Sequence, residues 1–147
     1  MDNTRDLPGY KYYVDPETGD RPAVYVAYLD LVPDTRGAVN GLVFPVEAAA
    51  LAGLDGRERN YERRDVTLGI DPPTGGRVWA YLGTPEARER FERGRELGAA
   101  VVDRAYLDAV RDGFAQIAPQ ELRRFDASTD PPAVPMTLLR RIDMPPI

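Results

Sequence analysis

The stretch LAGLDGRERNYERRDVTL, residues 51–68, carries one acid, Glu58, between Arg57 and Arg59 at the point where an apolar run ends. A lone carboxylate can act as a general acid or base, provided that a loop presents it at the mouth of a cavity. The rest of the composition throws proton transfer onto acids, tyrosines and one amine. The chain has no cysteine and no histidine, which excludes thiol nucleophiles, disulfides, thiolate metal sites and the usual imidazole base. Ser128 is the sole serine, so no Ser-His-Asp machinery exists, and Lys11 is the sole lysine. A plainer reading of the same residues makes Arg57, Glu58, Arg59 and Glu62 a solvated turn.

The elements that would position Glu58 follow from local signals. An AVNGLVF run reads as a buried strand from Ala38 to Phe44, with Gly41 marking a bulge or a close backbone approach. Pro45 suits a helix entry, and strong helix formers predict a short helix over 46–54, ending just before the charged knot. Tyr61–Leu68 and Arg77–Leu82 read as strands separated by the turn text DPPTGG. Upstream, GYKYYV and RPAVYVAYLDLV flank DPETGD and read as a hairpin. Five or six strands of this length suit a small barrel or a strongly twisted sheet.

Downstream the period changes. Thr84, Pro85 and Glu86 supply an N-cap, an N1 proline and a first-turn acid, and Gly98 supplies the stop, so Pro85–Leu97 is predicted as a helix. Asp103 can cap a second helix whose Tyr106, Leu107, Val110, Phe114 and Ile117 recur at helical spacing, predicting a core-facing stripe. A third helical piece is expected over Pro119–Phe125. Residues 127–147 hold five prolines and are expected to wrap extended along the surface. Strands followed by helices, without βα alternation, indicate an α+β fold and no dinucleotide-binding architecture.

Composition bounds the partners. A chain of 147 residues suits a single domain, 1–147. A net charge of −5 speaks against nucleic acid, because a phosphate backbone demands a concentrated basic surface. No apolar run is long enough for a bilayer, and the start MDNTRDLPG lacks a signal-type apolar stretch, so no membrane and a cytoplasmic location are expected.

VNGLVFPVEAAALAGLDGRERNYERRDVTL resembles the central segment of the γ-glutamylcyclotransferase superfamily. That pattern is a strand with V-x-G and two apolar residues, a helix, Leu-Asp, two variable positions, Glu, and a Tyr leading the next strand. The matching residues are Val39, Gly41, Leu42, Val43, Leu54, Asp55, Glu58 and Tyr61. RVWAYLG is similar to a later strand of the family. The resemblance implies a small mixed β-barrel flanked by helices, and conversion of a γ-glutamyl compound to 5-oxoproline with release of an amine. Glu58 maps onto the family's acid and base, and Tyr61 and Tyr81 onto substrate-contacting rings, with the plain alternatives of a strand-leading half-buried tyrosine at Tyr61 and a cross-strand packing residue beside Trp79 at Tyr81. Asp55 is expected to cap or brace the loop and not to react. No metal or organic cofactor is implied.

The sequence departs from the family at one place. The opening strand and turn, Tyr-Gly-Ser/Thr, whose backbone N–H groups receive substrate anions, has no counterpart, since the nearest text is Gly9-Tyr10-Lys11. The first strand of the barrel is therefore expected to be missing. Two functions follow: a cyclotransferase working through Glu58, or a non-catalytic barrel that binds a small ligand or a protein. An open barrel edge also predicts a homodimer.

Overall fold

The computed structural model describes residues 1–6 and 10–145. The fold is α+β. Its elements, in chain order, are β1 (Lys11–Val14), β2 (Tyr25–Ala27), α1 (Leu51–Arg57), β3 (Tyr61–Asp65), β4 (Trp79–Gly83), α2 (Pro85–Glu96), β5 (Ala100–Asp103), α3 (Arg104–Ile117), α4 (Pro119–Ser128), β6 (Met136–Thr137) and β7 (Arg140–Asp143).

The capping chemistry written into the sequence fixes the helices. Thr84 accepts a hydrogen bond from Ala87 N at the start of α2, and Asp103 accepts one from Ala105 N at the start of α3. Gly98 follows α2 at φ +63°, a left-handed conformation that L side chains rarely adopt. Beyond α3, Ala118 is extended and Pro119 opens α4, which runs to Ser128, three residues beyond the expected end. Phe114 and Phe125 stack at 4.6 Å to join α3 to α4, whereas Ile117, expected on the buried stripe, is 45% exposed in the last turn of α3.

The strands pair over long distances. Among the described residues they form three small sheets, β1–β7, β2–β5–β6 and β3–β4, and do not close into the expected barrel. The physical reason lies in residues 38–44. The anticipated buried strand makes no ladder, Leu42 and Phe44 are about 70% exposed at 71% and 70%, and Gly41 faces open space. Without that strand no ladder among the described residues joins one sheet to the next. The expected first hairpin is also corrected: β1 runs antiparallel to β7 and β2 runs parallel to β5. Asn3 joins β1 to β2 instead. Its fully buried amide donates to the carbonyls of Tyr13 and Pro22, both at 2.9 Å, and its Oδ1 accepts from Tyr13 N at 2.8 Å.

The helix expected over 46–54 begins as a 3-10 turn at Ala48–Ala50 and becomes α-helical only at Leu51, so it ends three residues later, at Arg57. β5 had no predicted counterpart. The C-terminal stretch, expected to lie extended on the surface, supplies β6 beside β5 and β7 beside β1. Tyr13, Val26 and Leu139 form the buried cluster, with Met1, Val24, Tyr28 and Val101 packed against it. Asp103 is buried at the seam, where its Oδ1 also accepts from Leu139 N at 3.1 Å. Among the described residues no helix is long and apolar enough to cross a membrane.

Candidate active site

Glu58 is the C-cap of α1, and its backbone leaves the helix at φ −87°, ψ 53°. Its N–H still donates to Leu54 O at 3.0 Å, while its own carbonyl accepts from Tyr61 N at 2.9 Å. The turn between α1 and β3 is thus closed from both sides, which fixes the backbone from which the Glu58 side chain projects at the helix end.

Asp55 pins that helix to the β3–β4 ribbon. Its Oδ1 accepts from the Tyr81 hydroxyl at 2.8 Å, and its Oδ2 pairs with Arg63 Nη2 at 3.2 Å. Arg63 and Tyr81 face one another across the antiparallel register, so a single carboxylate on α1 holds a cross-strand pair. The Arg63 guanidinium also lies 4.8 Å from the Trp79 ring centre.

A cavity of about 460 Å³ opens beside Glu58, lined among others by Tyr61, Tyr81, Tyr10, Lys11 and Tyr28. That size suits a small ligand, since such sites commonly measure roughly 300–1,000 Å³. The structure therefore gathers Glu58, Tyr61 and Tyr81 around one space. Tyr61 donates its hydroxyl to Leu29 O at 2.8 Å, and Leu29 N donates to the Tyr106 hydroxyl at 3.3 Å. Two phenols thus fix one peptide segment of the wall. Asp30, the next residue, accepts from Gly83 N at 2.6 Å and from Arg88 Nε at 2.9 Å, anchoring the same segment to β4 and α2.

Of the arginines flanking Glu58, Arg57 reaches it, with Nε 3.4 Å from Oε1, although Arg57 is 71% exposed and Glu58 only 31%. Arg59 is exposed, and its guanidinium lies 5.4 Å from the Tyr10 ring centre. Glu58 therefore sits at a rim, neither enclosed nor in bulk solvent.

Sequence reasoning missed several lining residues. Tyr106 was expected to fill the core. Its ring meets that of Tyr28 edge-on at 5.2 Å and both face the cavity. Helical spacing reveals that a face is covered, not that a hollow lies there. Tyr10, Lys11, Tyr28 and Arg141 had no local signal, because β1, β2 and β7 reach the site only through non-local pairing. Burial, first of all, raises the pKa of Tyr10, Tyr28, Tyr61 and Tyr106, and the Glu58 charge adds to the rise at Tyr10, Tyr61 and Tyr106. Burial also lowers that of the Lys11 ammonium; Arg141 pushes it in the same direction and Glu58 opposes. Among the described residues no group of three or more acids is placed to hold a metal ion.

Neither a curated protein nor a solved structure gives a significant match. Residues 3–98, about two thirds of the chain, match the family model described as gamma-glutamyl cyclotransferase, AIG2-like. That span contains Glu58, Tyr61 and Tyr81 together with the α1–β3 turn that presents them, and the chain belongs to this family.

Proposed function

We propose that the protein converts a γ-glutamyl amide to 5-oxoproline and a free amine, with Glu58 carrying the proton. The supporting observation is Glu58 at the end of α1, opening with Tyr61 and Tyr81 onto a cavity sized for a small amino-acid derivative. Glu58 takes a proton from the substrate's α-ammonium. The freed amine attacks the γ-carbonyl of the same molecule and closes a five-membered ring. The protonated carboxyl then hands its proton to the leaving nitrogen as the C–N bond breaks, and the second proton shed by the ring nitrogen follows by way of the same carboxylate, so that the amine leaves as an ammonium. Because nucleophile and electrophile belong to one molecule, the protein's main task is to hold the chain curled, and effective molarities for such closures are very large.

The test is incubation with a panel of γ-glutamyl dipeptides and γ-glutamyl amines, with 5-oxoproline as readout. Glu58→Gln is expected to lower kcat by about 10²- to 10⁴-fold, the usual contribution of a positioned acid–base group. Equal product from wild type and variant removes Glu58 from the reaction. One observation favours a second reading, a binding site without turnover: Arg57 pairs with Glu58 and competes with a substrate ammonium for the carboxylate. In that case ligands bind and neither protein forms 5-oxoproline.

The reading extends to a homodimer. Neither β3 nor β4 has a second strand neighbour among the described residues, and Val39, Leu42, Val43 and Phe44 are exposed and without ladder partners, while Asn40 between them donates to Glu121 on α4. A two-fold exchange would give each copy both the open edge and the segment that covers it.

A further inference from the structure

The cavity reverses the charge of the molecule. The chain carries a net charge of −5, yet among the described residues three cations, Lys11, Arg57 and Arg141, and one carboxylate, Glu58, line the space. Arg57 is engaged with Glu58. Lys11 has a different environment. Its Nζ lies 4.5 Å from the Tyr28 ring centre and 5.6 Å from that of Tyr10, and it forms no ion pair with any described carboxylate. Arg141 engages Asp143 through Nε at 2.8 Å and Nη2 at 2.5 Å, which leaves Nη1 without a hydrogen-bond partner among the described residues.

The β1–β7 ribbon sets these two cations side by side. Lys11 faces Asp143 and Tyr13 faces Arg141, so all four side chains share one face of the ribbon. Tyr13 in turn accepts a hydrogen bond from the Tyr28 hydroxyl at 3.0 Å, which joins that face to the cavity wall. The rings hold the Lys11 ammonium by cation–π attraction, and although Asp143 stands opposite it in the register, no described carboxylate lies within ion-pair distance, so its N–H donors can turn to an anion in the cavity. Arg141 lies outside residues 3–98, so it is a contribution of this chain beyond the matched family segment.

We propose that Lys11 and Arg141 form a clamp for the α-carboxylate of the ligand's glutamyl unit. The inference rests on the reading of the substrate as a γ-glutamyl compound, and supplies the half of its recognition that Glu58 does not. A glutamyl α-carbon bears an ammonium and a carboxylate together. With the ammonium at Glu58, its carboxylate must meet the cations of the same cavity. Lys11 and Arg141 are therefore specificity-determining residues, selecting ligands with a free α-carboxylate.

Two measurements separate the clamp from the cyclisation. Binding of 5-oxoproline and of 2-pyrrolidinone, the same ring without its carboxylate, is followed by isothermal titration calorimetry. Wild type is expected to bind 5-oxoproline selectively, and Lys11→Met and Arg141→Gln are each expected to weaken it about 10- to 100-fold, the range for a charged hydrogen bond. Arg141→Lys is expected to retain part of the affinity. In turnover, both variants raise KM for a γ-glutamyl amide with little change in kcat, and lose nothing against the α-carboxamide analogue. Circular dichroism checks that the variants fold. Unchanged 5-oxoproline binding in folded variants, equal wild-type affinity for both rings, or no binding of either overturns the clamp. Carboxylate-selective binding without any 5-oxoproline formation retains the clamp and removes the cyclisation. Glu58-dependent turnover at wild-type KM in both variants does the reverse.

Discussion

Tyrosine hydroxyls organise the candidate site, and their titration makes the fold sensitive to alkali. Tyr10, Tyr28, Tyr61 and Tyr106 line one cavity, and in each burial is the foremost cause of a pKa above the ordinary 10.0. A folded-state pKa raised above the unfolded value stabilises the fold fully below the unfolded value, and that contribution is lost as pH rises beyond it. Lys11 acts oppositely, because its lowered pKa means that deprotonation relieves a buried charge as pH approaches 10.5. Four phenols against one amine decide the sign. Stability in urea is expected to fall steeply above about pH 10, and absorbance at 295 nm should show these phenols ionising together with unfolding. A smooth titration that leaves the fold intact contradicts this account. Among single residues, the sequence exposed Glu58 through its isolation between arginines, and Asp55 as a brace through its place before it. It could not expose Tyr106 as a wall residue, since core filling and cavity lining share one helical spacing.

At the scale of elements, the close approach of α2 to β2 turns on one glycine. A Cβ built on Gly94 would lie 2.6 Å from Tyr25 Cβ and 2.7 Å from Cγ, and Tyr25 cannot withdraw atoms so near its own backbone. Helix propensity alone favours alanine there by about 1 kcal/mol, whereas overpacking costs about 1–3 kcal/mol. Overpacking wins, so Gly94→Ala is expected to destabilise the protein by up to about 2 kcal/mol in chemical denaturation. Gly113, within α3 and with no atom within 4 Å of a built Cβ, is the matched control. Gly113→Ala is expected to stabilise by about 0.5–1 kcal/mol. Equal effects at the two sites would refute the packing argument. Helices α2, α3 and α4 were legible because caps, N1 prolines and a terminal glycine act within a few residues. Partners of strands were not, because β-type residues declare a pleated, half-buried surface without declaring which strand covers it.

For the whole molecule, the apolar segment 38–44 is the feature with the largest consequence. Leu42, Val43 and Phe44 are each more than half exposed, at 71%, 56% and 70%, and the β3–β4 ribbon has open edges among the described residues. If two copies exchange these surfaces, as we propose, analytical ultracentrifugation at micromolar concentration should give a dimer. Phe44→Asp is expected to shift it to monomer with its circular dichroism spectrum retained. A wild-type monomer across that range ends the proposal.

The sequence by itself determined the α+β class, the two capped helices α2 and α3 and the proline-initiated α4, the exclusion of thiol and imidazole chemistry, and one acid at a helix end. All of these rest on residue identity or on interactions a few positions apart. The tertiary structure alone decided that strands form three sheets instead of a barrel, and that residues 38–44 join none of them. It alone brought Lys11 beside β7, where it faces Asp143 across the chain's two ends. The reason is that pairing between distant segments depends on which apolar surfaces remain after local structure has formed. A competition among all segments decides that, and no single stretch of sequence records its outcome.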